Sequence, residues 1–305
     1  MKIKPDRKSS TLAERPSIFV TRIYGNSVIP MCAVALESLS RVEPVAEIIV
    51  LFSDVDPRLI VGLEQAFPAI TFSQVASARA DEIYGRQAIA DLRISAYRDF
   101  LEYVHDSQPV YFFDSDLMFR GNITLEIPAD WTLLFTTQPS SLGYPVNAGL
   151  FGVRAGQQGR HFMRILERRN TRILASTRKT ARANMSDGGP SQAVVRKLIG
   201  KQNLGCGDKV QIVRIRLGRF RHRILLLPRQ EFNENDARRF DSSTKVLHLK
   251  SKWQELIFDP TASPGIKQRG HVKAIRSEFL QHLARVNSRA RSNSALTAAF
   301  RGLLH

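Results

Sequence analysis

The sequence predicts an α/β fold, a doubly wound sheet flanked by helices, followed by a basic helical C-terminal extension. Three observations carry that expectation. Apolar, β-branched runs alternate with helix-period stretches through the first half of the chain, the order of strands separated by crossover helices. One of those runs, "EIIVLFS" (47–53), is continuously apolar, as a strand covered on both faces must be. The chain has 305 residues and is 43% hydrophobic, enough for one large α/β domain with additions or two small ones.

Taken in order, residues 1–15 are polar and predict a flexible tail. "SIFVTRI" (17–23) is a β-branched first strand. "VIPMCAVALESLSRV" (28–42) places Met31, Val34, Ala35, Leu39 and Val42 at helical spacing. The strand 47–53 follows, then a helix "PRLIVGLEQAF" (57–67) with Pro57 at its first turn, then a strand "ITFSQV" (70–75). "AIADLRISAYRDFLEYVH" (88–105) predicts a helix with a stripe of Leu92, Ala96, Phe100 and Val104, flanked by Ile94 and Leu101. "PVYFF" (109–113), "WTLLFTT" (131–137) and "AGLFGVR" (148–154) predict three more strands. "RHFMRILERRNTRIL" is a basic helix, and "NMSDGGPSQAVVRKLI" (184–199) is a Gly-Pro turn leading into another. Residues 209–230 are basic and β-rich. In "HVKAIRSEFLQHLARV" (271–286), Val272, Ile275, Phe279, Leu283 and Val286 share one helix face.

Charge is uneven. Residues 1–153 carry a net −5 and residues 154–305 a net +22, for a total of +17. A basic half predicts an anionic partner: nucleic acid, acidic lipid or a phosphorylated substrate. Two cysteines, Cys32 and Cys206, form neither a disulfide framework nor a zinc pattern and fit a reducing cytoplasm. No apolar run reaches the ~18 residues of a membrane span, and the N-terminus lacks a signal-peptide core. The expectation is a cytoplasmic protein, soluble or peripheral on the inner face of the membrane. The stripe of 271–286, with Lys273, Arg276 and Arg285 beside it, and the later cluster Leu296, Ala299, Phe300 and Leu303 suit either an anionic membrane surface or packing on the domain.

Two Asp-x-Asp pairs follow apolar strands. Asp56 precedes Pro57 and reads as the N-cap of the helix that follows, leaving Asp54 as a loop residue able to meet a ligand. Asp114-Ser115-Asp116 differs, because Leu117, Met118 and Phe119 continue the apolar run beyond it. Two carboxylates there face desolvation and mutual repulsion. Either they are turn residues solvated at the strand end, or they hold a divalent cation. Carboxylates are hard oxygen ligands suited to Mg²⁺ or Mn²⁺, which bridge carboxylates to phosphate oxygens. In doubly wound sheets ligands bind beyond the carboxyl ends of the strands, where this pair falls.

Several stretches together resemble the GT-A-fold glycosyltransferases, most of all the family-8 type that includes glycogenin and the bacterial lipopolysaccharide glucosyl- and galactosyltransferases. These are "FVTRIYGNSVIPMCAVALESL", "DLRISAYRDFL", "VYFFDSDLMFRGN", "PVNAGLFGVRAG", "SDGGPSQAVV" and "VLHLKSKW", in the family's order over roughly residues 17–255. The resemblance implies a Rossmann-like mixed sheet, a transferase domain over 16–255 and an extension over 256–305. It implies a metal, Mn²⁺ or Mg²⁺, held by Asp114, Asp116 and His248. Thr21 and Arg22 would line the base pocket, with Asp54 nearby. Arg93, Lys250 or Lys252 would meet the donor diphosphate. Ser115, within the metal motif, and Asn147, Ala148 and Gly149 would border the donor. Asp187 and Gln192 would lie near the reacting carbon, with Arg93. The late element departs from the family's pattern, with Leu249 to Lys252 in place of the usual glycine and proline. Asp187 and Gln192 are separated where the family has them adjacent, and the opening lacks the usual Asp-x-Asn.

The implied activity is transfer of a sugar from a nucleotide-diphosphate sugar, a UDP-sugar by the resemblance, to a hydroxyl of a glycan, lipid or protein acceptor, with retention. Trp253 reads as a packing anchor. Two rivals differ in class. A nucleic-acid-binding protein would use the basic half, but no named motif and little aromatic interleaving support it. A sugar-nucleotide nucleotidyltransferase would need a glycine-rich phosphate loop after the opening strand, which is missing.

Overall fold

The computed structural model describes residues 15–75, 86–125, 127–137, 146–176, 190–200, 209–234, 239–249, 257, 269–290 and 293–304. Its first half alternates strand and helix as the apolar pattern predicts. β1 (Ile18–Tyr24), a 3-10 turn (Asn26–Val28) and α1 (Ile29–Val42) lead to β2 (Glu47–Ser53), α2 (Pro57–Ala66) and β3 (Thr71–Gln74). α3 (Arg86–Leu101), β4 (Pro109–Phe113), β5 (Leu117–Phe119), β6 (Leu133–Thr137) and β7 (Val146–Arg154) follow. The second half comprises α4 (Gln157–Ser176), α5 (Pro190–Ile199), the hairpin β8 (Gln211–Leu217) and β9 (Phe220–Leu227), α6 (Arg229–Phe232), β10 (Val246–His248), α7 (Arg269–Arg289) and α8 (Ser294–Leu304).

Eight strands form one mixed sheet in the order β3-β2-β1-β4-β7-β6-β9-β8. β3, β2, β1 and β4 run parallel, β7 is antiparallel to both β4 and β6, and β9 is parallel to β6. Successive side chains of each strand enter opposite layers, so each face has its own core. Phe19, Val50, Tyr111, Phe113 and Leu150 face α1, α2, α7 and α8; Val20, Leu51, Phe112, Phe135 and Phe151 face α3, α4 and α5. A second sheet of two antiparallel strands, β5 and β10, lies against α1.

Local chemistry sets several boundaries. Asp56 caps α2 as expected: its carboxylate accepts from Arg58 N at 2.9 Å, with Pro57 in the first turn. Its own N–H donates to Asn26 Oδ1 at 2.8 Å, which ties the helix start to the end of β1. The Cys32 thiol is buried in α1, and burial pushes its pKa up to about 12, so it stays protonated. The Glu43 carboxylate, buried just past α1, collects the Thr124 N–H at 2.9 Å, the Thr124 hydroxyl at 2.7 Å and the Asn122 amide at 3.1 Å, pinning the chain after β5.

Two expectations need correction. The core side of α3 is Ile94, Tyr97 and Leu101; of the expected stripe, Val104 is buried just past the helix, and Ala96 and Phe100 are half-buried against the same core. The 3.6-residue turn brings Tyr97, which that stripe leaves out, to the core between the expected flanking residues Ile94 and Leu101. The stripe of α7 does not lie on a surface available to a membrane. Val272, Ile275, Phe279, Leu283 and Val286 are all buried against α1 and the α1-side core, and Leu296 and Phe300 of α8 join them. Arg289 of α7 reaches the buried Glu37 carboxylate of α1 at 2.6 Å. The tail 1–14 and the expected boundary at 255/256 lie outside the described residues.

If α7 is part of the core, Phe279→Ala lowers unfolding stability by about 3–5 kcal/mol in denaturant titration, the range of buried Phe truncations. A surface-lying helix would show a change within about 0.5 kcal/mol.

Candidate metal and donor site

The site is built at the carboxyl end of β4. The β4–β7 ladder reaches one residue beyond the strand, where Asp114 N donates to Gly149 O at 2.7 Å. The chain then turns, with Leu117 N donating to Asp114 O at 3.2 Å, and enters β5. β10 pairs with β5 in a register that sets His248 opposite Leu117, and Leu249 N closes the ladder onto Asp116 O at 2.8 Å. Two segments far apart in sequence are thus fastened backbone to backbone, and the fastening brings imidazole to carboxylates.

His248 Nε2 lies 3.1 Å from Asp116 Oδ1 and 3.6 Å from Asp114 Oδ2. One ligand atom from each of the three residues falls within 4.8 Å of the other two. The imidazole is fully buried; the Asp114 and Asp116 side chains are 14% and 21% exposed, so the cluster opens on the carboxylate side. His248 Nδ1 is 2.8 Å from Asn233 Oδ1. With the amide oxygen accepting, Nδ1 carries a hydrogen and Nε2 is the ring nitrogen that faces the carboxylates. There it either carries a proton and donates to them or, when deprotonated, needs a cation among the oxygens. Two carboxylates and one imidazole suit a Mn²⁺ or Mg²⁺-type ion, the nitrogen favouring Mn²⁺. The donor set fits.

Support comes from behind. His248 N donates to Glu234 O at 2.9 Å, and the buried Glu234 carboxylate takes Arg229 Nη2 at 2.7 Å. Gly149 stands on the ring's other side. A Cβ there would sit 2.5 Å from His248 Cε1 and 2.8 Å from Nδ1, so only glycine admits the imidazole. Asn147 is buried and accepts from Gly149 N at 2.6 Å, holding the Asn-Ala-Gly stretch in shape. Ala148 is buried beside it.

Arg93 reaches the site from α3 and forms an ion pair with Asp114. It sits one helical turn before Tyr97, which stacks on Phe112 of β4 at 4.3 Å between centroids. The Tyr97 hydroxyl bonds the Arg22 backbone, and burial raises its pKa. That packing aims the Arg93 face of α3 at the end of β4. Thr21 is buried in β1, in register with Phe113 of β4. Arg22, at the end of β1, donates to Ser53 Oγ at 3.4 Å. Burial lowers its pKa, while the charges of Tyr97, Asp54 and Tyr24 work the other way. Asp54 is exposed at the end of β2 with φ 55°, a left-handed conformation that aspartate tolerates better than most residues. Ser115 is half-buried between the two aspartates.

Gln192 is 6% exposed on α5, which packs against β7, and its Oε1 meets no donor among the described residues. Asp187, Lys250 and Lys252 lie outside the described residues, as does Trp253. Asn233, Glu234 and Arg229 escaped the sequence reading. Arg229 opens the one-turn α6 and Asn233 and Glu234 follow it, with neither periodicity nor motif to mark them.

Solved structures share this architecture. The galactosyltransferase LgtC, solved in complex with donor and acceptor sugar analogs, matches with a TM-score of 0.55 over 94% of this chain and 100% of its own, at 13% identity. The glycosyltransferase GlyE of Streptococcus pneumoniae TIGR4 matches at 0.54 over 91% of this chain, at 14% identity. The bifunctional glycosyltransferase WbbM matches at 0.54 over 97%, at 12% identity.

The fold is GT-A.

At such identities the likeness is one of fold. This GT-A chain spans 64% of the GlyE chain and 53% of the WbbM chain. No protein-family model and no curated protein sequence matches it.

Asn233→Ala removes the acceptor that fixes the imidazole. Mn²⁺ affinity, measured by calorimetric titration, falls about 10–100-fold, as for other partners of a ligating histidine. Gly149→Ala displaces the ring itself and reduces affinity at least as much; unchanged affinity in both would remove His248 from the ligand set.

Proposed function

We propose that the chain is a metal-dependent glycosyltransferase. It moves a sugar from a nucleotide-diphosphate donor, a UDP-sugar, to a hydroxyl of a glycan or lipid-linked acceptor, with retention of configuration. The observation that carries this reading is the convergence of Asp114, Asp116 and His248 at the carboxyl edge of β4 in a GT-A sheet.

The ion these residues would hold, Mn²⁺ or Mg²⁺, supplies Lewis-acid stabilisation of the departing diphosphate. The chain's own groups do the rest. Arg93 stands beside Asp114 and adds fixed positive charge where the leaving group becomes more negative. Lys250 or Lys252, just past His248 in sequence, adds more. Arg22, near the end of β1, and Asp54, just past β2, bind the base and ribose, with the buried Thr21 behind them. Asn147, Ala148 and Gly149 form the floor under the donor sugar. Gln192, with a buried oxygen seeking a donor, takes a hydroxyl of the sugar near the reacting carbon. An active-site mutant of LgtC exchanges a glutamine for glutamate, which supports looking for a functional glutamine in this chain. Asp187 completes the catalytic group.

A thermal-shift panel of nucleoside diphosphates with and without Mn²⁺ tests the proposal. UDP at a hundred times its Kd stabilises by about 2.7 kcal/mol, several degrees, and only when metal is present. Asp116→Asn abolishes that shift while leaving the unliganded midpoint near wild type. A UDP shift independent of metal, or one that survives Asp116→Asn, refutes the site.

A further inference from the structure

The far margin of the sheet carries a surface that the proposed chemistry leaves idle. β8 is the outermost strand, joined to β9 by a tight turn with Gly218 at φ 60°. Residues 209–223 contain Lys209, Arg214, Arg216, Arg219, Arg221 and Arg223, and no acidic residue. Strand alternation places Ile212, Arg214 and Arg216 on one face, with Val210 just before the strand. The register sets Arg214 opposite Arg223 and Arg216 opposite Arg221, so the same face gathers four guanidinium groups.

This face is open. Arg214, Arg216 and Arg221 are exposed, and Val210 and Ile212 are 40% and 45% exposed. Arg223 pairs with Asp130; among the described residues no carboxylate forms an ion pair with Arg214, Arg216, Arg219 or Arg221. Like charges directly opposite in a ladder repel, with Cβ atoms about 5 Å apart. That is inside the Debye length of about 8 Å at physiological salt, so screening leaves much of the repulsion in place. The folded chain therefore keeps an electrostatic strain that an anionic partner would relieve.

We infer that the β8–β9 ribbon docks the protein on an anionic lipid bilayer. Guanidinium forks match phosphodiester oxygens, which gives the charge complementarity. The exposed Val210 and Ile212 decide between polyanions. A bilayer interface gives aliphatic side chains an apolar medium, while a nucleic-acid duplex gives them none. No aromatic ring stands on this face for a base to stack on. Edge-to-edge pairing of two copies through β8 would bring Arg214 and Arg216 of both chains together, which disfavours a dimer. The α7 and α8 apolar faces are already spent in the core, whereas on the ribbon exposed aliphatic side chains stand beside arginines with no ion pair among the described residues. The inference is independent of the transferase reading.

Co-sedimentation of the full chain with vesicles tests it. The chain binds vesicles of equal parts phosphatidylcholine and phosphatidylglycerol, at least about tenfold over phosphatidylcholine alone, and high salt releases most of it but leaves a smaller, salt-resistant part. Arg221→Glu turns the like-charge pair with Arg216 into an opposite-charge pair. It raises the thermal midpoint and lowers vesicle binding about tenfold, a split that a structural role for the arginine does not produce. Arg214→Gln combined with Arg216→Gln gives the same loss, and Val210→Ser with Ile212→Ser removes the salt-resistant part of binding. Equal partition onto neutral vesicles, binding untouched by the arginine variants, or tighter binding to an RNA duplex than to anionic vesicles at the same salt overturns the inference.

Discussion

Two carboxylates at the end of a buried strand repel each other and lose water, and much of the molecule around them answers that cost. Asp114 and Asp116 are held there by backbone bonds from two directions, to Gly149 in the main sheet and to Leu249 beside β10. Neither main chain can shift to carry its carboxylate away. Positive charge has to come to them. Arg93 supplies part of it from α3, and Nε2 of His248, oriented by Asn233, leaves a place that a proton on the ring or a metal cation makes favourable. The glycine at 149 and the buried Glu234–Arg229 pair follow from the same need to hold one imidazole still.

The two-sheet arrangement explains how such distant segments meet. β4 belongs to the large sheet and β5 to the small one, with only the turn at 114–116 between them. A chain that changes sheets at this point exposes its turn at the carboxyl edge, where α/β sheets collect ligands. The small sheet rests on α1, with Ser38 Oγ accepting from Phe119 N at 3.1 Å, and α1 is in turn buttressed by α7. The C-terminal helices thus belong to the scaffold under the metal ligands. Basic residues they carry are no guide to a surface role, since their apolar sides are occupied. On β8 and β9, at the opposite margin of the sheet, four arginines have no ion pair among the described residues.

The strands around the site were legible because burial on both faces writes itself as continuous apolar runs at 47–53 and 109–113. Capping was equally legible, since Asp56 before Pro57 meets a local geometric rule. Asp114 and Asp116 stood out as carboxylates with no local account of themselves. Helix facing was less secure: on α3 the spacing-four stripe looked right, and the 3.6-residue turn brings in Tyr97, which that stripe leaves out. An amphipathic pattern such as that of α7 states that a face must be covered, not by what. The β5–β10 pairing is beyond sequence reasoning of this kind. Three residues in each strand carry no periodicity, and their register depends on everything folded between them. Asn233 was hidden for the same reason, because its role exists only through contact with His248.

Mn²⁺ electron spin-echo spectroscopy on the metal-loaded protein, comparing wild type with His248→Gln, addresses the central claim most directly. Wild type is expected to show hyperfine coupling to one imidazole ¹⁴N, and His248→Gln to lose it while still binding Mn²⁺ weakly through the two aspartates. A wild-type spectrum with no nitrogen coupling, or one unchanged by the substitution, would contradict the claim that Asp114, Asp116 and His248 share one ion.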